Sequence, residues 1–204
     1  MSVLEWNNDD REALITFTKS IDSDDIKIKE QIKLSLLNNR FICHALYNEE
    51  IESDEDSSPS DYFGVNILPY YFLPTAQTDV KNFICYEVSF DELQNNNRAV
   101  KVMNIKFYIL CKYHNMVDPE TGIARHDLLA ALLQYEFNNK TYFGRRIHLV
   151  SDTPSTTDTA YATRTLVFEQ ITDNAIVRSN YDKENKKNIP RIANKDIQEY
   201  KELV

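Results

Sequence analysis

The chain has 204 residues, of which 42% are hydrophobic, and carries a formal net charge of −9 with an isoelectric point near 5.0. This length and apolar content suffice for one mixed α/β domain with a sizeable core. The acidic balance argues against a dedicated nucleic-acid-binding protein, which presents surplus Lys and Arg to phosphates. Three glycines are too few for a glycine-rich phosphate loop, so nucleotide-dependent chemistry of the usual kinds is not expected.

Residues 1–19 are predicted to form an amino-terminal arm, in which the single tryptophan, Trp6, is a candidate contact residue. The arm has neither a basic n-region nor an apolar h-region. No apolar run in the chain approaches the roughly 18 residues needed to span a bilayer. We therefore expect a protein made in the cytoplasm, without a membrane partner.

A helix is predicted over Ser20–Asn39, because Ile28, Ile32 and Leu36 recur at helical spacing against lysines. This apolar stripe favours packing on a sheet over lying on a membrane surface. The short apolar run Phe41–Tyr47 that follows is typical of a strand.

Residues 48–61 are predicted to form a mobile, solvated acidic loop, because they include no basic residue. The simpler interpretation of this loop is an insertion that increases solubility. The functional interpretation is a negatively charged surface that faces a basic partner or repels DNA. The carboxylates that would form this surface are Glu49, Glu50, Glu52, Asp54, Glu55 and Asp56.

The middle of the chain predicts a sheet. Val65–Leu73 contains Pro69 and therefore suits a sheet edge. Phe83–Phe90 and Ala99–Cys111 alternate apolar and polar residues with period two, and the polar connection between them favours an antiparallel β-hairpin. A neighbouring subunit could pair with the backbone edges of such a hairpin.

The remaining pattern predicts a helix over Arg125–Asn138, a Ser- and Thr-rich loop over Ser151–Thr159 and a strand over Tyr161–Ile171. Residues 173–204 are expected to form an extended tail. The fold class is therefore α+β: a mainly antiparallel sheet with one or two helices on one face, in a single domain over residues 20–172.

The cysteines Cys43, Cys85 and Cys111 lie in apolar, strand-like runs without CxxC spacing, which favours buried free thiols over a disulfide or a metal site. Adjacent strand residues point to opposite faces, so Cys43 and His44 would not share a zinc ion. No cofactor or metal is expected.

His126 and Asp127 could form an acid/base pair, but an acid in the first turn of a helix is explained by the helix dipole. A hydrolase that uses His126 or His114 is therefore the weakest functional hypothesis, and we expect no enzyme. The arginines Arg125, Arg145 and Arg146, in a chain this acidic, favour ion pairs across an interface. Arg164 and Asp152 complete the candidate interaction surface, and the many tyrosines suit contact surfaces.

Part of the chain, about a third of it, resembles the tail terminator (tail-completion) proteins of tailed bacteriophages. Four segments carry the resemblance: a strand ending near Cys111, the helix start Arg125-His126-Asp127-Leu128-Leu129, the run Ile147-His148-Leu149-Val150-Ser151 and the closing strand Arg164-Thr165-Leu166-Val167-Phe168.

The resemblance implies a hexameric ring in the virion that caps the tail tube and joins it to the head connector. Its expected partners are the tail tube protein, neck proteins and, in a contractile tail, the sheath. DNA would pass through without specific binding, and an acidic lumen would favour that passage by repelling phosphate. Another phage neck or tail protein, or a soluble acidic inhibitor that mimics DNA, are the alternatives.

Overall fold

The computed structural model describes residues 8–20, 24–72, 81–92, 100–157 and 161–173. The chain divides into two compact units, one of residues 1–23 and 175–204 and the other of residues 24–174. In the first unit, helix α1 spans Asn8–Ser20. Trp6 and the tail beyond residue 173 lie outside the described residues.

The second unit is α+β, which confirms the predicted fold class. Its helices are α2 (Asp24–Asn38), α3 (Arg40–Leu46), α4 (Glu49–Glu52) and α5 (Arg125–Phe137). Its strands are β1 (Ile67–Leu68), β2 (Phe83–Glu92), β3 (Val100–Lys112), β4 (His148–Thr157) and β5 (Tyr161–Asp173), in the sheet order β1-β2-β3-β5-β4. Strand β1 pairs with β2 in parallel, and the other three pairs are antiparallel.

The predicted hairpin is confirmed as β2 and β3, whose apolar residues face each other across the pair: Ile84 opposite Ile109 and Tyr86 opposite Phe107. The apolar side of this hairpin, together with Phe168 of β5, packs against α2, α3 and α5 in the main core. This arrangement follows from the alternation of apolar and polar residues, because every second side chain of a strand points to the same face of the sheet. The other edge of β3 pairs with β5, so it is not available to a neighbouring subunit.

The predicted strand Phe41–Tyr47 is wrong, because these residues form helix α3 and its end. Asn39 caps the helix: its side-chain oxygen accepts hydrogen bonds from the backbone N–H groups of Phe41 and Ile42. The buried residues of α3 follow helical spacing: Ile42, Cys43, Ala45 and Leu46. Cys43 is therefore a buried helical residue rather than a strand residue.

The acidic segment 48–61 is more ordered than the predicted loop. It contains helix α4, capped by the side chain of Asn48, and the start of a 3-10 turn at Pro59–Tyr62. Asn48 is buried, and Ile51 packs against the main core. The buried Asn48, whose amide donates to Asn66 at 2.8 Å, and the packed Ile51 therefore fix the start of the segment to the domain.

The predicted loop Ser151–Thr159 is also wrong over most of its length, because β4 extends to Thr157. Hydrogen bonding to β5 fixes this strand, and the Thr163 hydroxyl adds a bond to the Ser155 carbonyl at 3.0 Å. A composition rich in Ser and Thr predicts a loop, yet these residues are also compatible with a half-exposed strand when a partner strand is present.

The outer edge of β4 carries features that oppose pairing with a further strand. The Leu149 N–H donates to the Asn138 side chain at 3.0 Å, a bulge interrupts the register between Leu149 and Ser151, and Pro154 lacks an N–H. None of the described helices is long and apolar enough to cross a membrane.

Candidate functional site: an aromatic groove between three helices

An open groove of about 1080 Å³ lies between α2, α3 and α5. It is lined by Leu34, Ser35 and Asn38 of α2, Asn39 before α3, Arg40, Phe41 and His44 of α3, Leu132, Tyr135 and Glu136 of α5, and the loop residues Glu120 and Tyr142. The opposite sides of the same helices belong to the main core, which includes Leu36, Ile42 and Leu133. The groove is therefore built on packed helices.

Large apolar side chains in this groove are unusually exposed. Phe41 is 73% exposed and Tyr135 is 76% exposed, while Leu34 and Tyr142 are about half exposed at 49% and 47%. Aromatic residues exposed together on a packed surface are typical of protein contact sites.

The charged groups of the groove differ in how they are paired. The Glu136 carboxylate accepts hydrogen bonds from the Tyr142 hydroxyl at 2.8 Å and from the Asn39 amide at 3.3 Å. His44 lies 3.6 Å from the Glu120 carboxylate. Arg40 is exposed, and its guanidinium has neither a hydrogen bond nor an ion pair with any described residue. Among the charged residues that line the groove, Arg40 is therefore the one without a partner in the described part of the chain.

A buried ion pair lies at the base of α5. Arg125 and Asp118 are 1% and 0% exposed, and their Nη1 and Oδ1 atoms are 3.2 Å apart. The guanidinium also donates to the Ala45 carbonyl and to the Asn115 side chain, and it lies 4.8 Å from the centre of the Tyr47 ring. Arg125 thus joins the end of α3 to the start of α5.

Asp118 is held in its charged form despite its burial. Burial alone would raise the pKa of this carboxyl, but the hydroxyl and backbone N–H of Thr121, together with Arg125 and His44, lower the pKa below its ordinary value. His44 Nε2 lies 3.8 Å from Asp118 Oδ1, an atom with no hydrogen-bond partner in the structure.

A second ionic cluster links α5, β4 and β5. Arg164 donates to both carboxylate oxygens of Asp152, at 2.6 and 2.8 Å, and also to Asp127. The Gln134 amide donates to Asp152 at 2.8 Å. Hydrogen bonding to Arg164, opposed in part by burial, lowers the pKa of Asp152. Arg164 donates a hydrogen bond to the Asp127 carboxylate, beside which His126 lies at 3.5 Å. The position of Asp127 is therefore explained by its ion pair with Arg164.

The three cysteines are buried and free. Burial raises the pKa of Cys43 and Cys85 to about 11 and that of Cys111 to about 12. A nucleophilic or metal-binding cysteine needs a lowered pKa, because the thiolate is the reactive form. All three cysteines are therefore protonated core residues at neutral pH.

The acidic segment presents a separate negative surface. Glu50 is 76% exposed and pairs with Lys81 at 2.9 Å. Glu49 accepts a hydrogen bond from the Tyr47 hydroxyl, and Glu52 accepts one from Tyr62. The exposed acids Asp54, Glu55 and Asp56 follow on the turn after α4.

The structure brings together only part of the interaction surface proposed from the sequence. Arg164 and Asp152 meet in one cluster, and the acids of residues 49–56 share one segment. Arg145 and Arg146 are exposed in the turn before β4. Arg125 was expected at an interface, but it is buried because its partners are Asp118 and the Ala45 carbonyl.

Sequence reasoning missed the groove itself. The sequence predicts a strand over Phe41–Tyr47, and its many tyrosines indicate contact surfaces without singling out Tyr135 or Tyr142. The available signal was the cap residue Asn39, which predicts a helix start and would have placed Phe41 outside the apolar stripe of α3.

The family model described as YomW matches residues 39–170, more than half of the chain. The matched region begins at the cap of α3 and includes α5 and the sheet almost to the end of β5. No curated protein matches the chain.

Proposed function

Since the chain belongs to the YomW family, a phage-derived family of the SPbeta type, we propose that it is a structural protein of the phage tail or neck. The specific role that we propose is that of a tail terminator: a hexameric ring in the virion that caps the tail tube and joins it to the head connector. It acts by assembly rather than by catalysis, and it is made in the host cytoplasm.

The observation that carries this proposal is the aromatic groove. Phe41 and Tyr135 are about three-quarters exposed on helices whose other sides are buried in the core. Exposing such side chains to water is unfavourable by about 25 cal/mol per Å² of apolar surface, so a surface of this kind supports a role in which a partner covers it. Its proposed partners are other copies in the ring, the tail tube protein, the neck proteins and, in a contractile tail, the sheath.

The charge of the chain is compatible with a ring through which DNA moves. A net charge of −9 favours repulsion of phosphates over trapping of the DNA. The exposed carboxylates of residues 49–56 are the strongest candidates for a lumen-facing surface.

The proposal is tested by negative-stain electron microscopy of the full chain, alone and mixed with tail tubes from the phage that encodes it. We expect rings, or density that caps one end of each tube. A protein that stays monomeric and leaves both tube ends bare would refute the terminator role. Separate incubation with isolated necks distinguishes a terminator from another neck protein.

A second function is favoured by the order of the acidic segment. Helix α4, capped by Asn48, and the turn after it present several carboxylates on one segment, as a soluble inhibitor that mimics DNA requires; Glu55 and Asp56 are exposed on that turn. Deleting the whole segment would also remove Ile51 from the core, so the test is the charge-neutralising variant Glu55→Gln/Asp56→Asn. A DNA mimic would lose its basic partner, whereas a ring would still assemble.

A further inference from the structure

We propose that the turn between α5 and β4 binds helix α4 of a second copy of this chain, through ion pairs that join neighbouring subunits head to tail. Lys140 and Arg146 of one copy would face Glu49 and Glu52 of the next. This inference rests on the proposed ring and deepens it, because it names the two surfaces that meet between subunits.

The turn is a positively charged surface in a negatively charged chain. Residues 137–151 include Lys140, Arg145 and Arg146 but no Asp or Glu. All three cations are exposed. Lys140 Nζ lies 5.4 Å from the centre of the Tyr135 ring, and Arg146 has neither a hydrogen bond nor an ion pair with any described residue. Lys140 and Arg146 are therefore available to the carboxylates of a partner.

The turn holds its cations on a fixed backbone. The N–H of Asn139 donates to the Ile147 carbonyl at 2.9 Å, and the N–H of Ile147 donates to the Lys140 carbonyl at 3.0 Å. The Ile147 side chain is fully buried, and the Phe143 carbonyl accepts a hydrogen bond from the Gln170 side chain of β5. A surface that is ordered before association loses less conformational entropy on binding.

Two carboxylates border the turn without cancelling its charge. Glu136 accepts hydrogen bonds from Asn39 and Tyr142, and Glu169 of β5 is the cross-strand partner of His148. The three cations therefore remain in excess. Copies with a net charge of −9 repel one another, and a contact between unlike charges offsets that repulsion.

Helix α4 carries the carboxylates that complement the turn. Glu49 and Glu52 are exposed, and their spacing of three residues places them on the same side of the helix. Each accepts a hydrogen bond from a tyrosine hydroxyl, but neither forms an ion pair with a described residue. Glu50 differs, because it pairs with Lys81. The acids of residues 54–56 follow on the next turn and remain for the lumen-facing surface.

The two surfaces lie at opposite ends of α5. The Tyr47 hydroxyl donates to Glu49, and the Tyr47 ring is 4.8 Å from the guanidinium of Arg125, which begins α5. The turn follows Phe137, where α5 ends. At 1.5 Å per residue the two ends are about 18 Å apart, which is too far for an ion pair within one chain. A contact between these unlike surfaces therefore joins two copies, and it generates a ring when the rotation closes.

The test is a charge swap, measured by sedimentation velocity of the full chain in about 0.02 M and about 0.5 M NaCl. Wild type should self-associate at the lower salt concentration and at least 10-fold more weakly at the higher one. At the lower salt concentration, Lys140→Glu/Arg146→Glu and Glu49→Lys/Glu52→Lys should each self-associate at least 10-fold more weakly than wild type. An equimolar mixture of the two variants should recover wild-type association, because unlike charges then meet at every contact. One chain with all four substitutions should recover it for the same reason.

Arg11→Glu/Lys106→Glu is the matched control. It changes the net charge by the same amount as the turn variant, at exposed residues outside both surfaces. It therefore separates loss of the contact from increased repulsion between copies. Circular dichroism confirms that every variant is folded.

Three results would overturn the proposal: a wild-type chain that stays monomeric, a control that associates as weakly as the turn variant, or a mixture that does not recover association. Electron microscopy of tail tubes scores the ring separately. Tube ends capped equally by wild type and by both charge variants would refute this contact and leave the terminator role standing. Recovered association of the mixture, with bare tube ends, would support the contact and refute the terminator role.

Discussion

Replacing Arg125 by methionine should strongly destabilise the domain. Arg125→Met keeps the aliphatic stem but removes the guanidinium, which leaves the fully buried Asp118 carboxylate without its ion-pair partner. It also removes the hydrogen bonds to the Ala45 carbonyl and the Asn115 side chain. Removing one partner of a buried ion pair typically costs about 3–5 kcal/mol.

The size of this effect makes it measurable. A domain of this length has a total free energy of unfolding of about 5–15 kcal/mol. For about 150–250 residues, each kcal/mol lowers Tm by roughly 2–4 °C, so Arg125→Met should lower Tm by about 10 °C. Urea unfolding gives the free energy directly, with the exposed-site variant Arg146→Met as the control.

A double-mutant cycle isolates the pair. Asp118→Asn leaves the Arg125 charge buried without its counter-ion, so it too should be destabilising. The double variant should lose less than the sum of the two single losses, by about 0.5–3 kcal/mol, because no uncompensated charge remains. Strict additivity, or a loss below about 1 kcal/mol for Arg125→Met, would refute the assignment of this pair as an anchor.

The same pair predicts an acid dependence. Because the folded-state pKa of Asp118 is below its unfolded value of about 3.9, the carboxylate contributes stability that is fully present above pH 4. That stability is lost as the pH falls through the lower, folded-state pKa. In Arg125→Met the pKa of Asp118 should rise, so the loss should begin at a higher pH in urea titrations.

Three further predictions concern the core, the second ionic cluster and the thiols. Phe137→Ala should cost about 3–5 kcal/mol in urea unfolding, because the ring is fully buried with its centroid 5.1 Å from that of Phe107; a smaller loss would mean that the site collapses. Arg164→Met should cost about 1–3 kcal/mol, because Asp152 and Asp127 lose their charged donor, and a loss equal to that of the control Arg146→Met would contradict this. Ellman's reagent at pH 8 should label the native protein far more slowly than the protein unfolded in guanidinium, because the three thiols are buried in the native state: Cys43, Cys85 and Cys111. Fast labelling of the native protein would show that at least one of these thiols is accessible.

The hairpin and α5 could be predicted because the residue pattern that specifies each element lies within that element's own sequence. Alternation along Phe83–Phe90 and Ala99–Cys111 specifies both the strands and the face that is buried. The wide apolar face of Arg125–Asn138 specifies a helix to within one residue of its observed end.

The failures have a different physical origin. A short, mostly apolar run such as Phe41–Tyr47 fits a strand or a buried helix equally well, and only the Asn39 cap decides between them. The Ser- and Thr-rich β4 is a strand because β5 supplies its hydrogen bonds. The groove forms where α5 packs beside α2 and α3, from which it is separated in sequence by β1, β2 and β3, so no local pattern predicts it.

The buried anchor and the exposed groove are mechanically related. Arg125 begins α5, and its guanidinium bonds the Ala45 carbonyl near the end of α3, so one side chain joins two walls of the groove. Substitution at Arg125 should therefore reduce both stability and the binding of a partner at the groove, because the walls lose their fixed spacing. Substitution at Phe41 should reduce binding alone, because its side chain is largely in water. The two positions thus separate the scaffold of the site from its contact surface.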